Sequence, residues 1–228
     1  MTMDNDEYQH IAPHYERLFS RQLLKLRQNI CAFIHHSQHK KIIDICCGTG
    51  FQLKMLDSSD MDLVGVDQSS AMLSHAYTSK QIRYVQANAA EINFPEKSFD
   101  AALICLALHE KRDFDKDILL KKAYGLVREG GHLIIADFCQ IPGSIAGYVV
   151  GKFIIPIIEK MAGTTHYSNY TDWMSNGALE GALYQFGHRI DIISTHSFGT
   201  LMLCAINKEK PLEKAFIDLQ RINFQFER

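Results

Sequence analysis

The stretch Lys41-Ile42-Ile43-Asp44-Ile45-Cys46-Cys47-Gly48-Thr49-Gly50-Phe51 constrains the fold of this chain more than any other. Ile42, Ile43 and Ile45 are β-branched residues in a short apolar run, the pattern of a buried strand. Gly48 and Gly50 then supply a tight turn, because glycine reaches backbone angles closed to other residues and lets a ligand approach the main chain. Phe51–Leu56 follows with helix-forming character. A strand, a glycine turn and a helix in that order leave free backbone N–H groups beside an incoming ligand.

The details around the turn discriminate between ligands. A dinucleotide fingerprint counted from Gly48 requires Gly or Ala at position 53, where helix and strand pack closely, and Leu53 stands there. No Gly-Lys-Ser/Thr follows the turn, so it is not a phosphate-binding P-loop. An acid, Asp44, precedes Gly48 by four residues. The run Asp-x-Cys-Cys-Gly-Thr-Gly resembles motif I of the class I S-adenosylmethionine-dependent methyltransferases, whose usual form is acid-x-Gly-x-Gly-x-Gly. Cys46 takes the place of the first glycine, a mild departure because cysteine is small and readily buried.

Further segments match that family in order. Asp62–Asp67 reads as a second strand ending in an acid about 20 residues after the turn, the offset at which a carboxylate meets ribose hydroxyls. Ser69 or Ser70 caps the next helix. Residues 82–87 form a third strand, followed by Asn88-Ala89. Phe94-Pro95-Glu96-Lys97-Ser98-Phe99-Asp100 is similar to the family's lead-in to strand four, which is expected over Ala101–Glu110 as a nearly continuous apolar run. A helix over Asp117–Val127, with Asp117 as N-cap, stops at Gly130-Gly131 before a fifth strand at His132–Phe138. "VREGGHLIIADF" is similar to the family's signature there.

The flanks are less regular. Residues 8–36 read as helical, with Leu18, Leu23, Leu24, Leu26, Ile30 and Phe33 favouring one face. His35, His36 and His39 sit among Ser, Gln and Lys, the composition of a solvated loop rather than a metal site. The apolar run 145–158 is shorter than the roughly 20 residues of a membrane span and contains Lys152 and Pro156. It reads as a helix covering a greasy substrate, with a core helix or an interfacial anchor as alternatives. Residues 189–197 and 199–206 read as closing strands, and Leu212, Phe216 and Leu219 as a short C-terminal helix.

The chain is thus expected to be one α/β domain with a Rossmann-like, mostly parallel sheet of seven strands and helices on both faces. Its parts are an N-terminal helical cap (1–38), a cofactor-binding core (39–140), substrate-covering helices (141–188), and closing strands with a C-terminal helix (189–228). A net charge of −2 gives no basic stripe for nucleic acid. Six cysteines without a C-x-x-C pair, and an acidic start, suggest reduced thiols in a cytoplasmic chain, with peripheral membrane contact left open.

The resemblance implies S-adenosylmethionine as cofactor and S-adenosylhomocysteine as product. It assigns cofactor contacts to Tyr15, Asp44, Cys46, Gly48, Thr49, Gly50, Asp67, Gln68, Met72, Asn88, Ala89 and Leu106. Asn88 would bond the adenine amino group. Tyr15, in an "APxY" context, could equally be a helix-packing aromatic. The order of motifs after strand five is similar to the ubiquinone/menaquinone C-methyltransferases, which implies a small, quinol-like acceptor methylated on carbon or oxygen. A base that ionises a phenol aids such chemistry, and His109 is the candidate, with a structural histidine as the alternative. No comparable argument attaches to His132, His166 or His188, and none of these patterns implies a metal. N-methylation of a phospholipid head group, or a cofactor-binding partner subunit without turnover, are the other readings.

Overall fold

The computed structural model describes residues 6, 8–9, 12–140, 144–162, 164–184 and 190–208. A 3-10 turn at Ala12–His14 leads into helix α1 (Tyr15–His36), and then come β1 (Lys41–Ile45), α2 (Phe51–Leu56), β2 (Asp62–Asp67), α3 (Ser70–Ser74) and β3 (Ile82–Gln86). The chain continues through β4 (Phe99–Cys105), α4 (Asp113–Leu126) and β5 (Val127–Phe138). After these come α5 (Ile145–Val149), a π-helical stretch (Val150–Ile154), α6 (Ile155–Ala162), α7 (Thr164–Ser175), α8 (Ala178–Tyr184), β6 (Ile190–His196) and β7 (Leu201–Asn207).

The seven strands form one sheet in the order β3-β2-β1-β4-β5-β7-β6. Strands β1 to β5 pair in parallel, while β7 runs antiparallel to both β5 and β6. The order reverses beside β1, so the C-terminal ends of β1, β2 and β4 open a crevice there, where α/β sheets bind ligands. Strand β1 is buried on both faces from Ile42 to Ile45, and β4 from Ala101 to Ile104, as central parallel strands must be. One core layer gathers Ile43, Ile45, Val64, Ile104 and Ile135 with Leu119, Leu120 and Trp173. The other packs Leu23, Leu26, Ile30 and Ile34 of α1, spaced at helical intervals, on Ile42, Leu63 and Leu103.

Several boundaries differ from those expected. Strand β4 starts at Phe99 and stops at Cys105, because Leu106, whose N–H makes the last bond to β5 at the Ala136 carbonyl (2.8 Å), turns to φ +53°. His109 therefore lies in the loop beyond the strand. Helix α4 begins at Asp113, so Asp117 sits inside it, and Arg112 at the N-cap makes no side-chain cap bond. The glycines do not end α4. It passes directly into β5 at Val127, and the pairing with β4 jumps from Phe99–Val127 to Ala101–His132 across an irregularity that contains Gly130. A Cβ at Gly131 would fall 2.3 Å from the Asp100 carbonyl, a close approach that requires glycine. Ser69 does cap α3, accepting from Met72 N–H at 3.0 Å.

His39 is not solvated. It is 2% exposed, shares a 2.8 Å hydrogen bond with His132, and burial followed by repulsion from His132 drives its imidazole down to about 4. The expected C-terminal helix and His188 lie outside the described residues.

Candidate active site

Motif I owes its shape to three successive departures from ordinary backbone. Cys46, Gly48 and Gly50 all have positive φ, at +63°, +55° and +66°. The Cys46 position, where the family uses glycine, is a left-handed one that costs a side-chain-bearing residue roughly 1–2 kcal/mol. A Cβ on Gly48 would meet nothing within 4 Å, so the space over its main chain is open to a ligand. Gly50 is required for packing, since a Cβ there would lie 2.0 Å from the Tyr84 hydroxyl. Gly50 does not line the crevice, whereas Asp44, Cys46, Gly48 and Thr49 do.

Asp67 ends β2 opposite this turn. Its Oδ2 accepts from Gly48 N–H at 2.8 Å and its Oδ1 from Ser69 N–H at 2.9 Å. Each oxygen keeps a lone pair for a further donor, so a vicinal diol fits the carboxylate. Gln68 lines both lobes of the crevice and Met72 one of them. Asn88 and Ala89 line the second lobe. Asn88 Oδ1 already accepts from Ala90 N–H at 3.0 Å, which fixes the side chain and leaves one acceptor position for an amino group.

The opposite lobe is charged. Asp44 is buried, and burial, reinforced by the Asp67 charge and opposed by Arg27, pushes its carboxyl up to about 7. Arg27 and Gln52 line the same lobe, and Gln52 Oε1 is buried without a hydrogen-bond partner among the described residues. A guanidinium beside a carboxylate and an orphan amide oxygen is a donor and acceptor set for an amino-acid zwitterion. One lobe therefore suits an α-amino acid, the other an adenine, and Asp67 between them a ribose. Leu106 forms part of the floor. These residues fit S-adenosylmethionine as a whole. Tyr15 heads α1, but its side chain lies outside the described part.

Where the two lobes meet, both are lined by Tyr8, Cys46, Asp67, Gln68, Glu110 and Lys111. Tyr8 donates its hydroxyl to Glu110 Oε2 at 2.6 Å. His166 Nδ1 lies 3.7 Å from Glu110 Oε1, and Asn169 donates to the Glu110 carbonyl at 2.6 Å. Burial pulls the Lys111 ammonium down, but Cys46, Glu110 and Asp67 outweigh it and raise its hold on the proton. His109 occupies another place. It is 3% exposed, lines neither lobe, and its Nδ1 bonds Asp137 Oδ1 at 2.6 Å, with Nε2 4.0 Å from Glu110 Oε1. Asp137, fully buried, also accepts from the N–H groups of Leu108 and Phe138 at 2.8 and 2.7 Å. Tyr8, Arg27, Gln52, Lys111 and His166 also belong to the crevice without having been singled out for it by motif, whereas Glu110 was marked by its place at the expected C-terminal end of strand four.

Comparison with known proteins agrees with this geometry. A family profile described as "Methyltransferase domain" matches residues 43–135. The chain is 26% identical over 191 residues to a demethylmenaquinone methyltransferase of Geobacillus stearothermophilus, covering 76% of this chain and 79% of that protein. It is 31% identical over 150 residues to the demethylmenaquinone methyltransferase of Oceanobacillus iheyensis, covering 60% and 61% of the two chains. In fold it is similar to an O-methyltransferase family protein from Burkholderia thailandensis, with a TM-score of 0.66 at 15% identity over 88% of this chain and 60% of that one. The sheet, the crevice and the methyltransferase-domain match over residues 43–135 are those of an S-adenosylmethionine-dependent methyltransferase, and the chain resembles class I of these enzymes. Within that class the chain resembles the menaquinone-biosynthesis methyltransferases.

Proposed function

We propose that this methyltransferase acts on a small hydroxylated aromatic acceptor of quinol type, methylated on carbon or oxygen. The observation that carries the reading is the position of Glu110 at the junction of the two lobes, held by Tyr8 and flanked by His166. S-adenosylmethionine supplies a methyl group already activated on a sulfonium, so the protein's work is to position the acceptor and manage its proton. Glu110 is the proton acceptor in this reading, a role that contributes about 10²–10⁴ in rate. His109 is a positioning residue, with Asp137 orienting its ring and its far nitrogen turned toward Glu110. The names of the relatives support a quinol, and so does the lining. Tyr8, Glu110, His166 and Asn169 give that part of the crevice a polar lining that suits ring hydroxyls better than a bare hydrocarbon.

The test is methyl transfer from labelled S-adenosylmethionine to a short-chain naphthohydroquinone and, in parallel, to phosphatidylethanolamine. Transfer to the hydroquinone is expected. Transfer to the amine alone would overturn the reading.

A further inference from the structure

Residues 145–162 form one run of α, π and α helix whose orientation runs against its composition. Its buried positions include Gly147, Gly151 and Ile155, while Ile145 is 85% exposed, Ile157 60%, and Tyr148, Val149 and Ile154 are exposed as well. The glycines let the helix lie close on the body, and Ile145, Tyr148, Val149, Ile154 and Ile157 are left outside. The π-helical turn matters here. Its wider step rephases the helix, so that Ile145, Val149 and Ile157 stay on one outward stripe along all of its turns. Helix α5 also packs against the turn Ser197–Gly199. There Ser197, Phe198 and Gly199 all have positive φ and hold the Phe198 ring 68% exposed. An aromatic held outward in a disfavoured backbone conformation extends the same apolar face.

We propose that this face is a docking surface for a lipid bilayer, on which the helix lies in the plane of the interface. The charges on it favour lipid over other occupants. The helix carries two lysines against one acid, Glu159; Lys152 and Lys160 are exposed, with Lys152 stacked 5.0 Å over the Tyr148 ring, and a net basic balance beside an apolar stripe suits anionic head groups. Tyr148 has the apolar body and polar tip of an interfacial residue. A second copy of the chain would need a larger patch. A helix of this length is about 27 Å long and about 10 Å wide, on the order of a third of the roughly 800 Å² that each partner contributes to a stable interface. No helix among the described residues is long and apolar enough to cross the membrane, so the contact is one of surface residence.

The location is useful to the enzyme. The helix follows the C-terminal end of β5, the end of the sheet at which the crevice opens. It packs through α6 on α7, which delivers Thr165, His166 and Asn169 to the crevice wall. A bilayer on this face would bring an acceptor with a lipid tail to the second lobe.

Co-sedimentation of the full chain with vesicles of phosphatidylcholine, alone or with about a third phosphatidylglycerol, tests the proposal. The wild type is expected to partition onto the anionic vesicles. The Ile145→Ser/Ile157→Ser pair should lower the partition coefficient by about tenfold or more. Lys152→Glu/Lys160→Glu should abolish the preference for anionic over neutral vesicles. Because these side chains are exposed and line neither lobe of the crevice, S-adenosylhomocysteine affinity should stay at the wild-type value in both variants. Failure of the wild type to bind vesicles, or full binding by the serine pair, would overturn the proposal. So would a wild-type dimer, seen by light scattering without lipid, that the serine pair disrupts. None of these outcomes depends on which acceptor is methylated.

Discussion

The backbone N–H of Gly48 donates to Asp67 Oδ2 across 2.8 Å, joining the turn after β1 to the end of β2. The carboxylate that would hold a ribose is therefore also the clamp that shapes motif I. With Ser69 N–H on its other oxygen, Asp67 satisfies two amides that would otherwise face the crevice.

Asp67→Ala should consequently do two things. Loss of charge-assisted bonds to two hydroxyls should weaken S-adenosylhomocysteine binding by about 1.5–3 kcal/mol, one to two decades in affinity. The two abandoned amides should lower folding stability by about 1–3 kcal/mol. Calorimetry and denaturant titration measure these separately. Asp67→Asn, which keeps one acceptor oxygen, should recover part of both losses.

Cys46→Gly should remove the left-handed strain of a φ of +63°. The gain, about 1–2 kcal/mol, is partly offset by about 0.5–1 kcal/mol of extra freedom in the unfolded chain. Net stability should rise by up to about 1.5 kcal/mol, whereas Cys46→Ala should give no such gain. Gly50→Ala should be severe, because strain at φ +66° is joined by collision with Tyr84. Thermal unfolding of the three variants orders them, and an unchanged Gly50→Ala would contradict the turn as described.

Asp44 predicts how cofactor affinity depends on pH. Burial, and after it the Asp67 charge, raise its carboxyl to about 7 in the free protein, and the ammonium of a bound amino acid needs the ionised form. Protons therefore compete with the cofactor below pH 7. S-adenosylhomocysteine affinity should climb by up to about tenfold per unit as pH rises toward 7 and flatten above it. For stability the sign is opposite to that of a paired carboxylate. Ionising Asp44 costs the fold nothing below its unfolded pKa and its full penalty above pH 7, so Asp44→Asn should stabilise the free protein most at pH 8. The same substitution should flatten the affinity profile.

Strands β1 to β3 and the acid at position 67 were legible because they depend on local chemistry, namely β-branched runs, glycine turns and a fixed offset. Other features were set by what folds against them. The apolar run 101–108 gave no sign that Leu106 would adopt φ +53° and end β4 early. His39 has polar sequence neighbours, yet its environment is His132, 93 residues away. Tyr8 and Glu110, 102 residues apart, meet only once the N-terminal segment crosses the crevice. The apolar segment 145–158 showed its composition but not its facing. Among its described residues none lines either lobe, whereas Thr165, His166 and Asn169 of α7 do.

Glu110 and His109 are adjacent in sequence and separable by experiment. Glu110→Gln keeps an oxygen that can accept from Tyr8, so the crevice should hold its shape while losing its proton acceptor. Turnover of a hydroquinone should fall by about 10²–10⁴, with the affinity for uncharged-sulfur S-adenosylhomocysteine within about a factor of three of wild type. His109 touches neither lobe and acts through Glu110, so His109→Asn should lower turnover less, by about tenfold, and displace the pH profile of kcat rather than KM. Tyr8→Phe removes one bond to the carboxylate and should raise KM for the hydroquinone with a smaller effect on kcat. The decisive comparison is between neighbours. If His109→Asn abolishes turnover with cofactor affinity intact while Glu110→Gln remains near wild type, the imidazole is the base and the carboxylate only part of the wall.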